Sequence, residues 1–117
     1  MNTMPNSTSA SKLTDTVGIL GLGIMGLAIA EHLTTHGWKV VGFDPNPLQQ
    51  TKASAAGVGL KDQATDVASE ANIILSSLPT QQALDQTIDA IINCPKNRVS
   101  ILADLSTLKL ECKLKNL

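Results

Sequence analysis

Gly21, Gly23 and Gly26 fall in the spacing G-x-G-x-x-G, with Leu22, Ile24 and Met25 among them. This spacing can hold a pyrophosphate. The first glycine permits a tight turn out of a strand. The second lets a phosphate approach the backbone where a Cβ would block it. The third lets a helix pack close to the strand. The helix then offers free N–H groups and its positive dipole end to the phosphates. The spacing carries weight only between a strand and a helix. Here Thr16 to Leu20 is a short apolar run and Ile24 to His36 is helix-compatible, ending at Gly37. Asp44 closes a second apolar run, Lys39 to Phe43, where a carboxylate accepts ribose hydroxyls. These residues predict dinucleotide binding.

Asp44 also bears on which dinucleotide. A 2′-phosphate beside it meets a like charge, costing about 4 kcal/mol at 4 Å for an effective dielectric of about 20. Pro45, Asn46 and Pro47 follow, with no cation. The expected cofactor is NAD, with NADP as the alternative.

These residues need a frame that brings strand ends together. Three more apolar runs supply it: Val58 to Leu60, Asn72 to Leu78 and Val99 to Ala103. The runs are continuous rather than alternating, as in parallel strands covered on both faces. Helices are expected between them. Pro47 to Ala56 has Asn46 as cap and ends at Gly57. Asp62 to Ala71 opens on a capping Asp62. Gln81 to Asn93 carries Leu84, Ile88, Ile91 and Ile92 at helical spacing and stops before Pro95. Strand and helix in alternation give an α/β fold, a Rossmann-type doubly wound parallel sheet of about five strands in the order 3-2-1-4-5. The domain runs over 16–107. Residues 1–15 form a polar tail expected to be disordered, and 108–117 a helical tail with Leu110, Leu114 and Leu117 on one stripe.

Composition excludes other classes. The 117 residues hold 9 Lys+Arg against 10 Asp+Glu, with 2% aromatics, so neither a basic field nor stacking platforms exist for nucleic acid. No apolar run reaches the ~20 residues that span a bilayer. No secretory or mitochondrial leader pattern opens the chain, and a cytoplasmic location is expected. Cys94 and Cys112 form no metal or redox spacing. His32 and His36 lie four apart on the first helix, but no third ligand accompanies them, so no metal site is expected.

The run Gly18-Ile19-Leu20-Gly21-Leu22-Gly23-Ile24-Met25-Gly26 resembles the opening of the β-hydroxyacid dehydrogenases, which include 3-hydroxyisobutyrate dehydrogenase, tartronate semialdehyde reductase and 6-phosphogluconate dehydrogenase. His36 to Asp44, Asp66-Val67-Ala68 with Ala71 to Ile74, Leu78-Pro79, and Asp104-Leu105-Ser106-Thr107 resemble later segments of that family. The last matches its D-x-S-T signature, which argues against the N-terminal domains of imine and ketopantoate reductases. The resemblance implies that the glycine loop holds the pyrophosphate and Asp44 the adenosine ribose. It implies that Leu78 and Pro79 lie against the cofactor, with Thr107 near the nicotinamide and Ser106 at the substrate's carboxylate.

The chain departs from the family after Thr107, where Leu108-Lys109-Leu110-Glu111-Cys112 replace the expected S-P start of a helix. The family's catalytic lysine follows a G-x-x-G-x-G stretch, and no glycine occurs here after Gly59. Lys109, Lys113 and Lys115 therefore receive no catalytic role, and no catalytic residue is assigned. The expectation is the cofactor-binding part of a 3-hydroxyacid dehydrogenase-like oxidoreductase, a fragment without turnover. A stand-alone dinucleotide-binding or regulatory module, or one subunit of a split enzyme, are the alternatives. An uncovered sheet edge at Val99, Ile101 and Leu102, or the leucine tail, predicts self-association.

Overall fold

The computed structural model describes residues 15–105. Ser106, Thr107, the tail 108–117 and the polar stretch up to residue 14 lie outside them.

Among the described residues five strands and four helices alternate. They are β1 (Thr16–Leu20), α1 (Ile24–Thr35), β2 (Lys39–Phe43), α2 (Pro47–Ala55), β3 (Gly59–Leu60), α3 (Ala64–Glu70), β4 (Ile73–Ser76), α4 (Gln81–Ile92) and β5 (Ile101–Asp104). The sheet order is β3-β2-β1-β4-β5 and every pairing is parallel, as the sequence predicts. In such a sheet all carboxyl ends of the strands lie along one rim, and the loops that leave them can share one ligand.

Side chains of β1 alternate between two cores. Val17 and Ile19 pack with Ala30 and Ala53 on the α1/α2 face. Leu20 packs with Val67, Ala68 and Ile91 on the α3/α4 face. All five residues of β1 are buried, which explains its unbroken apolar run. Strand β4 instead alternates between half-buried and buried, and β5 is exposed or half-buried throughout. The expectation of full cover thus holds at the sheet centre and fails toward β5.

Local signals set most element ends. Gly37 and Gly57 take positive φ, +87° and +97°, past the ends of α1 and α2. The Leu48 N–H donates to Asn46 Oδ1 at 2.9 Å, and Pro47 stands at the first helical position of α2. The Ala83 N–H donates to Thr80 Oγ1 at 3.0 Å and starts α4.

Three expectations need correction. Asp62 does not cap α3: Gln63 holds the cap position, with no side-chain bond. Strand β4 stops at Ser76 rather than running to Leu78: the Ser77 N–H donates to Leu20 O at 2.8 Å as the last bond to β1, which itself ends at Leu20. Ile92 is 68% exposed and lies off the buried stripe of α4, where Leu84 and Ile91 are buried.

Glu70, at the end of α3, binds Lys61 and lies 3.7 Å from Lys39. The Lys61 hydrogen bond is the main force holding its carboxyl below the usual value, against an opposing push from burial. The pairs are partly exposed, so each contributes at most about 1 kcal/mol.

Candidate functional site

The chain leaves β1 at Leu20 and must reverse sharply to enter α1. Gly21 makes that turn at φ +94°, with its N–H donating to Phe43 O at 3.0 Å. A Cβ at Gly21 would run into the Ser77 carbonyl oxygen, so the turn also lies tight against the end of β4. Gly26, one turn into α1, is close to Gly21 itself: a Cβ there would overlap the Gly21 carbonyl oxygen. These two glycines are required by the protein's own packing.

Gly23 is different. A Cβ built on it meets nothing within 4 Å, and its φ of −72° suits any residue. Neither packing nor backbone conformation asks for glycine at this point. The space above it is a cradle that a side chain would fill and a ligand can enter. It opens at the N-terminus of α1, where Gly23 is the cap residue and supplies no side-chain bond. The first-turn N–H groups and the positive end of the helix therefore point toward an incoming anion. The residues present fit a dinucleotide's pyrophosphate.

Asp44 leaves β2 beside this loop. Its Oδ2 accepts from the Leu22 N–H at 2.7 Å and its Oδ1 from the Asn46 N–H at 2.8 Å. The sequence places Asp44 near the loop but does not show that it holds the loop. A carboxylate has about four acceptor positions, so each oxygen keeps capacity for a ribose hydroxyl.

A cleft of about 610 Å³ runs along the rim. Gly21, Gly23, Ile24 and Met25 line it from the loop, and Phe43, Asp44 and Pro45 from β2. Ser77, Leu78 and Pro79 line it beyond β4, and Ala83, Gln86 and Thr87 from α4. Of the predicted residues, Leu22 and Gly26 stay behind the surface as supports: the Leu22 side chain is fully buried and Gly26 is buried within α1. Ile24 is 93% exposed. Gln86 and Thr87 were not anticipated. The signal was available, since a helix opening after a strand's carboxyl end puts its first turns at the same rim. Asp104 stands at the end of β5, where Ser76 Oγ donates to its Oδ1 at 3.1 Å.

A larger hollow of about 740 Å³ lies at the amino ends of the strands, lined by Thr34, Trp38, Lys39, Gly57, Lys61 and Glu70. Its two lysines are committed to Glu70, and it is remote from the glycine loop. Ligands of open α/β sheets sit at the carboxyl rim, so the smaller cleft is the candidate site. His36 Nδ1 lies 2.8 Å from the His32 carbonyl, and the two rings stand 4.3 Å apart. Among the described residues no group of three His, Cys, Asp or Glu could hold a metal, and no helix is long and apolar enough to cross a membrane.

Comparison with known proteins agrees with this geometry. A probable 3-hydroxyisobutyrate dehydrogenase of Mycobacterium bovis is 36% identical over 69 residues, 59% of this chain and 24% of the relative. The chain thus spans about a quarter of that relative's length. The solved 3-hydroxyisobutyrate dehydrogenase of Mycobacterium tuberculosis, determined with L-serine, superposes with a TM-score of 0.66 at 31% identity. That match covers 69% of this chain and 28% of the other. An imine reductase from Pseudomonas sp. superposes at 0.68 with 20% identity, covering 79% and 32%, a likeness of fold alone. Residues 16–114 match the family described as the NAD binding domain of 6-phosphogluconate dehydrogenase. The chain belongs to that family: it is a Rossmann-type domain for a nicotinamide dinucleotide, with 3-hydroxyisobutyrate dehydrogenases among its relatives.

Proposed function

We propose that the cleft binds NAD in preference to NADP, as the cofactor half of an oxidoreductase acting on a 3-hydroxyacid. One observation carries the preference. Among the described residues Asp44 is the charged residue lining the cleft, and no Lys or Arg lines it. Two prolines flank Asn46 in the turn beyond Asp44, and its N–H is already taken by Asp44 Oδ1. A 2′-phosphate meets an anion there and finds few donors.

The rest of the cofactor is oriented by the rim. The loop from Gly21 to Gly26 takes the pyrophosphate and Asp44 the adenosine ribose. Leu78 and Pro79 offer apolar surface toward the nicotinamide end; the family resemblance assigns Thr107 to the ring and Ser106 to the substrate's carboxylate. When bound, the nicotinamide supplies hydride transfer. This chain's residues hold it, orient it and exclude water from one face. The Mycobacterium dehydrogenases support a β-hydroxyacid as the substrate class.

Fluorescence titration of the full chain with NADH and NADPH tests the preference. Wild type is expected to bind NADH at least about tenfold more tightly. Asp44→Ala is expected to lose about tenfold in NADH affinity and to bring NADPH level with it, since hydrogen bonds to a charged group contribute about 1.5–3 kcal/mol. A wild type that prefers NADPH overturns this reading.

The β5 edge carries a second part of the proposal. Ile101 is 57% exposed and Ile92 is 68% exposed, beside an apolar groove of Ile88, Ile91, Val99 and Leu102. We read this edge as a surface for self-association. Light scattering is expected to show mass rising with concentration, and Ile101→Lys to suppress the rise. A wild type that stays monomeric at high concentration removes the proposal.

A further inference from the structure

We infer that Gln49 is a positioning residue of the cofactor site: its side-chain amide, donated to the Leu22 carbonyl, sets which way the Leu22–Gly23 peptide faces. The inference rests on the reading of the cleft as a dinucleotide site.

The geometry is a three-point hold on one residue. The Leu22 side chain is fully buried in the core between β1, α1 and α2. Its N–H donates to Asp44 Oδ2 at 2.7 Å. Its carbonyl accepts from Gln49 Nε2 at 2.6 Å. The first two anchors fix where Leu22 sits. Only the third acts on the peptide that follows it.

That peptide matters because of what shares it. In a trans peptide the carbonyl and the next N–H point in opposite directions. No peptide among the described residues is cis. With the Leu22 carbonyl turned toward α2, the Gly23 N–H faces away from α2. Gly23 lines the cleft, so its N–H becomes a donor for the phosphate cradle.

Glycine makes the hold necessary. A peptide plane rotates by changing ψ of the residue before it and φ of the residue after it. Gly23 has no Cβ and populates both signs of φ with similar ease. The property that admits the ligand also frees the plane to turn over. Gln49 opposes this from the third position of α2, whose start is fixed by Asn46 and Pro47. Gln50, its neighbour, ties the same helix to the Asp44 carbonyl at 2.7 Å. The first turn of α2 therefore braces both the loop and the end of β2.

The test compares the full-length wild type with Gln49→Leu and Gln49→Glu. Leucine keeps bulk and removes the donor. Glutamate removes it at neutral pH and restores one O–H donor when protonated, near its usual pKa of about 4.3. In the ligand-free protein, 15N relaxation dispersion at the Gly23 amide is expected to be flat for wild type and to show exchange in Gln49→Leu. NADH affinity in Gln49→Leu is expected to fall about tenfold. Gln49→Glu is expected to lose as much at pH 7, and its deficit relative to wild type at each pH to shrink as pH falls toward 4.5. Affinity that recovers at low pH while the Gly23 amide of Gln49→Glu still shows exchange marks relief of charge repulsion alone and overturns the inference. Wild-type affinity in Gln49→Leu, or a Gly23 amide without exchange, overturns the inference. If wild type binds neither NADH nor NADPH, the dinucleotide reading fails, and the dispersion arm still decides whether Gln49 holds the peptide.

Discussion

Gly23→Val is expected to remove dinucleotide binding, at least about a hundredfold in affinity, while the protein stays folded. A Cβ at Gly23 meets no atom beyond its chain neighbours within 4 Å, so the fold leaves room where the new side chain starts. The φ of −72° is available to valine. The remaining cost is the preference for glycine over a branched residue at a helix cap, about 1 kcal/mol or less. The ligand pays instead, because its phosphates must come where the branched carbons now stand. Calorimetric titration beside a thermal melt measures both quantities. Retained NADH affinity removes the cradle from the account of the site.

Gly26→Ala is expected to do the reverse and cost stability outright, about 3 kcal/mol or more. The sign makes this diagnostic. In an exposed helix interior, Gly to Ala gains about 1 kcal/mol from propensity. Here the added carbon overlaps the Gly21 carbonyl oxygen, with the Gly21 carbonyl carbon 3.1 Å and Ile19 Cγ2 3.3 Å away. Two of these three atoms are backbone and cannot swing aside as a flexible side chain does. Either α1 lifts from β1 or the turn at Gly21 deforms, and both disturb a strand whose five residues are all buried. Overpacking typically costs 1–3 kcal/mol, and an immovable obstacle raises it. With whole domains stable by about 5–15 kcal/mol, the denaturation midpoint shifts visibly. A midpoint equal to or above wild type means the helix stands further from the turn than described.

Much of this was readable from local chemistry. The glycine spacing, the caps at Asn46, Gly37 and Gly57, and the parallel order of the sheet all depend on residues within a few positions of one another or on right-handed crossovers. The glycine loop and Asp44 followed from the same signals, whereas Leu78 and Pro79 rested on the family resemblance. Other features depend on contacts across long stretches of chain. Asp44 binding the Leu22 N–H and Gln49 binding the Leu22 carbonyl join residues 22 and 27 positions apart. No periodicity encodes which way a glutamine on a half-buried helix face reaches. The end of β4 was misplaced for the same reason, since Leu78 is apolar enough for a strand but the neighbouring β1 already ends at Leu20, which pairs with Ser76. Asp62 looked like a cap by type, yet the turn entering α3 puts Gln63 there. Ser106 and Thr107 rest on the family resemblance.

The two bonds made by Asp44 set a limit on how this site can vary. One oxygen reaches back to the glycine loop and the other forward to Asn46, at 2.7 and 2.8 Å. A carboxylate one methylene longer cannot keep both with the backbone where it is. A glutamate here needs a turn that starts further out, and a rerouted turn strands an aspartate. Acid length and turn path are thus coupled: a change to either alone costs the glycine loop one of its holds, the bond from the Leu22 N–H to residue 44.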